Sequence, residues 1–203
     1  MALKDLPTID AVLVSHDHYD HLCCPTVRAL AKTRIPFITS LGVGAHLQAW
    51  DIAPERITEL DWWQSHRLPG TEVEVTAAPS QHFSGRGLKD RNATLWSGLV
   101  VRGPKHRVFF SGDTGLTDQY SAVRERLGPF DLVMHAWDEP VETLLKLAPQ
   151  QGVQLLLPQL GQVIEPVQVD SVVPWWRGIE SRAALAAPPE PMTWPKAAAW
   201  PMD

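Results

Sequence analysis

The stretch SHDHYDHL, residues 15–22, places three histidines and two aspartates within six consecutive positions. It contains the pattern His-x-His-x-Asp-His, formed by His16, His18, Asp20 and His21. Neutral imidazoles and carboxylates are ligands that zinc and other borderline metal ions accept. The apolar run AVLV, residues 11–14, comes directly before and predicts a buried strand. A loop at the end of such a strand is held by rigid neighbours and open to solvent, so the sequence predicts a metal site there.

Two further segments place ligand-type side chains just after predicted strands. His82 stands in SQHFSGR, behind the alternating strand EVEVTA, and Asp113 stands in FFSGDTG. Gly112 and Gly115 flank Asp113 and allow the backbone to approach closely. Taken alone, His82 also suits an ordinary loop and Asp113 an ordinary turn. Their assignment to the same metal site depends on the order of the motifs along the chain.

Short strands that alternate with helices must position these loops. Strands are predicted at 11–14, 36–40, 56–60, 72–77, 94–101, 106–111, 130–134 and 153–158. Helices are predicted near Pro25, at 42–50, at 118–127 and after Asp138. We predict one domain over residues 1–180 and a disordered tail, rich in proline and alanine, over residues 181–203.

Composition narrows the class of protein. A chain of 203 residues with 44% hydrophobic content can bury one core. No apolar run approaches the roughly 20 residues that cross a bilayer, and no leader opens the sequence, so we expect a cytoplasmic protein. Cys23 and Cys24 are the only cysteines, which excludes a disulfide framework and a four-cysteine zinc site. A net charge of -5 argues against a nucleic-acid partner.

The order of these motifs resembles the metallo-β-lactamase superfamily, and within it the hydrolases typified by N-acylphosphatidylethanolamine-hydrolysing phospholipase D. The resemblance covers residues 8–178. The segments that carry it, besides the histidine-rich loop, are ELDWW (59–63), PSQHFSGRGLKDRNATLW (79–96), FFSGDTG (109–115) and GPFDL (128–132). The fold it implies is an α/β protein of the α+β kind, an αββα sandwich with two metal ions, usually zinc, at one edge of the paired sheets.

The resemblance also implies a role for each candidate residue. The first metal would be held by His16, His18 and His82; the second by Asp20 and His21, with Asp113 as the bridge. A metal-bound water or hydroxide would be the nucleophile, and Asp20 and Asp113 would be the catalytic carboxylates. Arg86, Lys89 and Arg91 are candidates for contact with an anionic substrate, and a solvated loop is the alternative.

Two departures from the family pattern stand out. The superfamily normally has several strands before the histidine-rich loop, whereas nine residues precede DAVLV here. After Met134 the chain continues directly into HAWDEP, without the HWGTF-like motif that supplies the last metal-ligand histidine. We therefore expect an incomplete sandwich, a weakened second metal site and a tendency to form oligomers or aggregates. His135 is the histidine nearest to the gap, although it matches the residue beside the WDEP helix.

The predicted function is zinc-dependent hydrolysis of a phosphodiester, with a small-molecule or phospholipid-type substrate and, for the latter, contact with a membrane surface. Another hydrolase of the same fold, which cleaves a lactone, a thioester or an RNA phosphodiester, is the alternative among enzymes. The alternative from a different class is a metal-binding remnant without turnover.

Overall fold

A computed structural model describes residues 6–115 and 117–134, together with residues 145, 150, 152 and 155–157. The chain divides into two compact units, Met1–Thr143 and Leu144–Asp203, and the elements below all belong to the first. No helix in the described ranges is long and apolar enough to cross a bilayer. The predicted helix after Asp138 and the tail at 181–203 lie outside the described residues. Residues 155–157, within the last predicted strand, are described without strand structure.

The first sheet is parallel and carries the histidine-rich loop. Its strands are β1 Val12–Val14, β2 Phe37–Ser40 and β3 Ile57–Leu60, in the order β1-β2-β3. Parallel strands need crossover connections, which α1 Cys24–Ala31 and α2 Gly44–Ala49 supply. All five elements confirm the predicted ones, and the predicted boundaries differ from the observed ones by at most two residues.

The second sheet carries the other two candidate loops. Its strands, in sheet order, are β4 Ser65–Arg67, β5 Glu74–Ala78, β6 Gly98–Arg102, β7 Arg107–Phe110 and β8 Leu132–Met134. Neighbours are antiparallel except for β7 and β8, which are parallel and joined through α3 Gln119–Leu127. The sequence did not predict β4, because its residues Ser-His-Arg have no apolar alternation and form the exposed edge beside β5.

Three buried apolar clusters define four layers. One joins the first sheet to α1 and α2, the second lies between the two sheets, and the third joins the second sheet to α3. Successive side chains of a strand point to opposite faces, so Phe37 belongs to the helix-facing cluster and Ile38 to the cluster between the sheets. The layers are helix, sheet, sheet and helix, which confirms the predicted αββα sandwich.

The edges of both sheets are open in the described part of the chain. Strand β1 pairs with β2 alone, and β8 pairs with β7 alone. On β8 the apolar side chains of Val133 and Met134 are each about half exposed. The incomplete sandwich stays a prediction. The predicted gap follows Met134, and His135 lies outside the described residues.

Candidate metal centre

Three loops meet at one place in the structure. Each begins at the carboxyl end of a strand: the first follows β1 and carries His16 to His21, the second follows β5 and carries His82, and the third follows β7 and carries Asp113. The first loop leaves the parallel sheet, and the other two leave the second sheet. The candidate site is therefore shared between the two sheets.

His16, His18 and His82 direct one ring nitrogen each towards a common point. Nδ1 of His18 lies 3.0 Å from Nε2 of His16 and 3.2 Å from Nε2 of His82. Nitrogens bound tetrahedrally to zinc at 2.0–2.1 Å are separated by about 3.3 Å, so these three nearly have the spacing of a zinc ligand set. A cation or proton among them would offset the mutual repulsion of their lone pairs. The type and spacing of these three side chains therefore suit the binding of a metal ion.

His16, His21 and Asp113 form a second group of candidate ligands. Oδ2 of Asp113 lies 3.0 Å from Nε2 of His21 and 4.0 Å from Nε2 of His16. His16 belongs to both groups, so the two possible metal positions are adjacent. The carboxylate of Asp113 approaches both groups, which is the placement expected of a bridging ligand.

Asp20 lies at the margin of the second group. Its Oδ2 is 3.7 Å from Nε2 of His21, and 76% of its side chain is exposed. It is not one of the described residues whose ligand atoms cluster tightly. The structure therefore brings His16, His18, His21, His82 and Asp113 together and leaves Asp20 in solvent beside them.

The hydroxyl of Ser15 contacts two of the histidine rings on the side away from the candidate metal positions. This contact was not predicted from the sequence. Oγ of Ser15 is 3.0 Å from Nδ1 of His16 and 3.4 Å from Nδ1 of His21. When each Nδ1 carries its proton and donates to this oxygen, Nε2 is left with a free lone pair on both rings. Such outer contacts fix the tautomer and orientation of metal ligands. In the sequence, this role of Ser15 is indicated by its position directly before the histidine pattern.

Burial and crowding keep His16 and His82 in the neutral form that binds metal. Burial, followed by the neighbouring His21, His82 and His18, lowers the pKa of His16 to about 3. Burial is also the main cause that lowers the pKa of His82, with His18 as the next cause. Neutral imidazole is the ligand form, so no proton need be displaced from these two rings at neutral pH.

Hydrogen bonds tie the second loop to the third. The backbone N–H of Gln81 donates to Oγ1 of Thr114 at 2.8 Å, and Gly115 donates its N–H to the carbonyl of Gln81 at the same distance. Gly112 has a φ of +62°, and an added Cβ would lie 3.3 Å from the carbonyl oxygen of Ser97. The turn before Asp113 thus requires glycine.

The three basic residues after His82 have different environments. The guanidinium of Arg86 donates to the carbonyls of Asp17 and Leu22 and lies over the ring of Tyr19, 4.1 Å from its centroid. These contacts hold the histidine-rich loop, and the substrate contact of Arg86 stays a prediction. Lys89 and Arg91 are exposed, and Arg91 lies over the ring of Phe83, which packs against His18 and His82.

A family model described as a beta-lactamase superfamily domain matches residues 2–163 of this chain. The chain belongs to the metallo-β-lactamase superfamily. A solved structure with the same fold is CmlA, a diiron beta-hydroxylase from Streptomyces venezuelae, at 23% identity and a TM-score of 0.53. The match covers 64% of this chain and 26% of CmlA.

Two superfamily relatives are more similar in sequence. An uncharacterized protein of Mycobacterium tuberculosis is 38% identical over 223 residues, covering 86% of this chain and 59% of that protein. The N-acyl-phosphatidylethanolamine-hydrolyzing phospholipase D 1 of Caenorhabditis elegans is 39% identical over 140 residues, covering 65% of this chain and 39% of that protein. The chain thus spans less than two thirds of the length of either relative.

The mycobacterial alignment is also longer than the matched part of this chain. It extends over 223 positions, whereas 86% of the 203 residues is about 175. About 48 aligned positions therefore have no counterpart in this chain. The deletion expected after Met134 stays a prediction.

Proposed function

We propose that this chain is a metal-dependent hydrolase that cleaves a phosphodiester, with zinc as the metal. The observation that carries the proposal is the convergence of three imidazole nitrogens, from His16, His18 and His82, within 3.2 Å of the central one. The adjacent pair of His21 and Asp113 offers a second position. Histidine and carboxylate ligands also suit iron, so the metal must be identified by analysis.

The proposed chemistry depends on what each side chain does at this edge. Bound divalent ions would supply a lowered pKa for a water molecule and polarisation of an ester oxygen. Ser15 keeps the lone pairs of His16 and His21 directed inwards. Asp113 lies beside Nε2 of His21 and would share a metal ion with it, and the exposed carboxylate of Asp20 beside that ring would take up and release a proton.

The surroundings of the site support an anionic, partly apolar substrate. Lys89 and Arg91 place positive charge on the loop that follows His82, and Tyr19 and Phe83 are exposed aromatic side chains beside the histidines. A phosphodiester with an acyl chain would meet both features. The similarity to the nematode N-acyl-phosphatidylethanolamine-hydrolyzing enzyme supports the same class of substrate.

We propose further that the two metal positions differ in affinity. The first has three imidazoles, while the second has His21, Asp113 and the marginal Asp20 and lacks the last histidine of the superfamily pattern. One ion should therefore bind more tightly than the second, and hydrolysis should increase as zinc is added.

The test is to measure bound metal per chain after dialysis, together with hydrolysis of bis(p-nitrophenyl) phosphate and of dispersed N-acylphosphatidylethanolamine. We expect about one retained metal ion and turnover of both substrates that rises with added zinc. His82→Ala should weaken metal binding enough for the ion to be lost on dialysis, and His106→Ala, at an exposed hairpin position, is the matched control. Retained metal without hydrolysis of either ester would show the metal-binding remnant, and no retained metal would contradict the proposal altogether.

A further inference from the structure

Asp17 and His46 take no part in either group of candidate ligands, yet both occupy defined positions beside them. Asp17 stands between His16 and His18, and its side chain is only 1% exposed. Burying a carboxylate is costly unless hydrogen bonds and an opposite charge compensate it. Its Oδ1 accepts a hydrogen bond from the backbone N–H of Gly85 at 2.8 Å.

The other oxygen of Asp17 faces α2. Oδ2 makes no hydrogen bond among the described residues and lies 3.4 Å from Nε2 of His46. His46 lies on α2, and its side chain is only 29% exposed. Asp17 therefore joins three segments: its own loop, the loop of His82, and α2.

We propose that Asp17, held in place by His46, is a positioning residue that sets the location of His82 relative to His16 and His18. The inference rests on the proposed metal binding. The backbone around His82 has anchors on both sides: Gln81 to the loop of Asp113, and Gly85 to Asp17. Without the Asp17 carboxylate, the contact of Gly85 is lost, while Gln81 keeps its contact and Arg86 keeps its bonds to the backbone carbonyls of Asp17 and Leu22. We therefore expect His82 to shift away from the other two ligands, while His16 and His18 stay on their strand end.

The experiment compares Asp17→Ala with Asp17→Asn, which keeps the oxygen that accepts from Gly85. Zinc affinity is measured by competition with a chelator, and the ring nitrogens of the ligand histidines are followed by long-range 1H–15N NMR of the zinc-loaded chain. We expect Asp17→Ala to weaken zinc binding about 10- to 100-fold, with the metal-bound signal lost selectively from Nε2 of His82. Asp17→Asn should stay within about threefold of the wild type and retain that signal.

His46→Ala should weaken zinc binding in the same direction, because it removes the partner of Oδ2, and His106→Ala should leave it unchanged. Thermal unfolding of the metal-free variants separates positioning from loss of the fold. Unchanged zinc affinity in Asp17→Ala overturns the proposal, and so does an equal loss of signal from all three histidines with a lowered unfolding temperature. A wild-type chain that binds no zinc would instead contradict the proposed function.

Discussion

At the scale of single residues, the candidate site is organised by contacts behind the ligands as much as by the ligands themselves. Ser15 contacts rings from both metal groups, and Asp17 contacts the backbone of the His82 loop. Both residues lie in the histidine-rich stretch, residues 15–22. The sequence could indicate the candidate ligands because histidines and aspartates at this spacing are typical of metal sites. It could not assign Ser15 or Asp17, because a serine or an aspartate in a polar loop has many uses.

Replacing Ser15 tests the contacts behind the histidines. In Ser15→Ala, Nδ1 of His16 and of His21 lose their common acceptor, so we expect zinc affinity to fall about 10- to 100-fold. Ser15→Thr keeps the hydroxyl and serves as the control. Chelator competition measures both variants, and equal affinity in Ser15→Ala would show that this hydroxyl does not orient the rings.

The lowered pKa of His16 predicts how the metal-free chain responds to acid. The folded state holds this ring neutral down to about pH 3, whereas the unfolded chain takes up the proton near pH 6.5. The unfolded state therefore binds more protons within that window, and stability falls as the pH is lowered through it. The slope from this residue approaches about 1.4 kcal/mol per pH unit. Urea unfolding between pH 7 and 5 should show this slope in the wild type and a smaller one in His16→Gln.

At the scale of elements, strand ends and their loops create the site. The parallel order β1-β2-β3 was foreseeable, because apolar runs alternate with helical segments, and so was the antiparallel pair of β6 and β7. The contact of α2 with Asp17 was not foreseeable, since it depends on how a half-buried helix lies over a loop. The hydrogen bonds from the Arg86 guanidinium to two carbonyls of the histidine-rich loop were not foreseeable either.

Arg86→Ala should destabilise the histidine-rich loop. It removes hydrogen bonds to the carbonyls of Asp17 and Leu22 and the contact with Tyr19, so we expect the free energy of unfolding to fall by about 2 kcal/mol. Lys89→Ala, at an exposed position of the same loop, should change it by less than about 0.5 kcal/mol. Chemical denaturation compares the two variants, and an equal effect of both would contradict the role given to Arg86.

At the largest scale, the first compact unit has four layers, and within the described residues β1 and β8 each have one unpaired edge. Strand edges with apolar side chains favour association between molecules. We therefore expect the wild type to self-associate, and we expect Val133→Lys on β8 to reduce association. Leu88→Lys, at an exposed loop position, is the control for an added charge. Light scattering coupled to size-exclusion chromatography measures both, and a wild-type monomer would show that the edges are protected.

We propose above that three histidines from two loops, attached to different sheets, bind one metal ion. X-ray absorption spectroscopy of the chain loaded with one zinc ion tests this binding. We expect a shell of nitrogen and oxygen at about 2.0–2.1 Å with the outer scattering of three imidazoles, reduced to two in His82→Ala. A sulfur shell at about 2.3 Å, from Cys23 or Cys24, or a spectrum unchanged in His82→Ala, would contradict it.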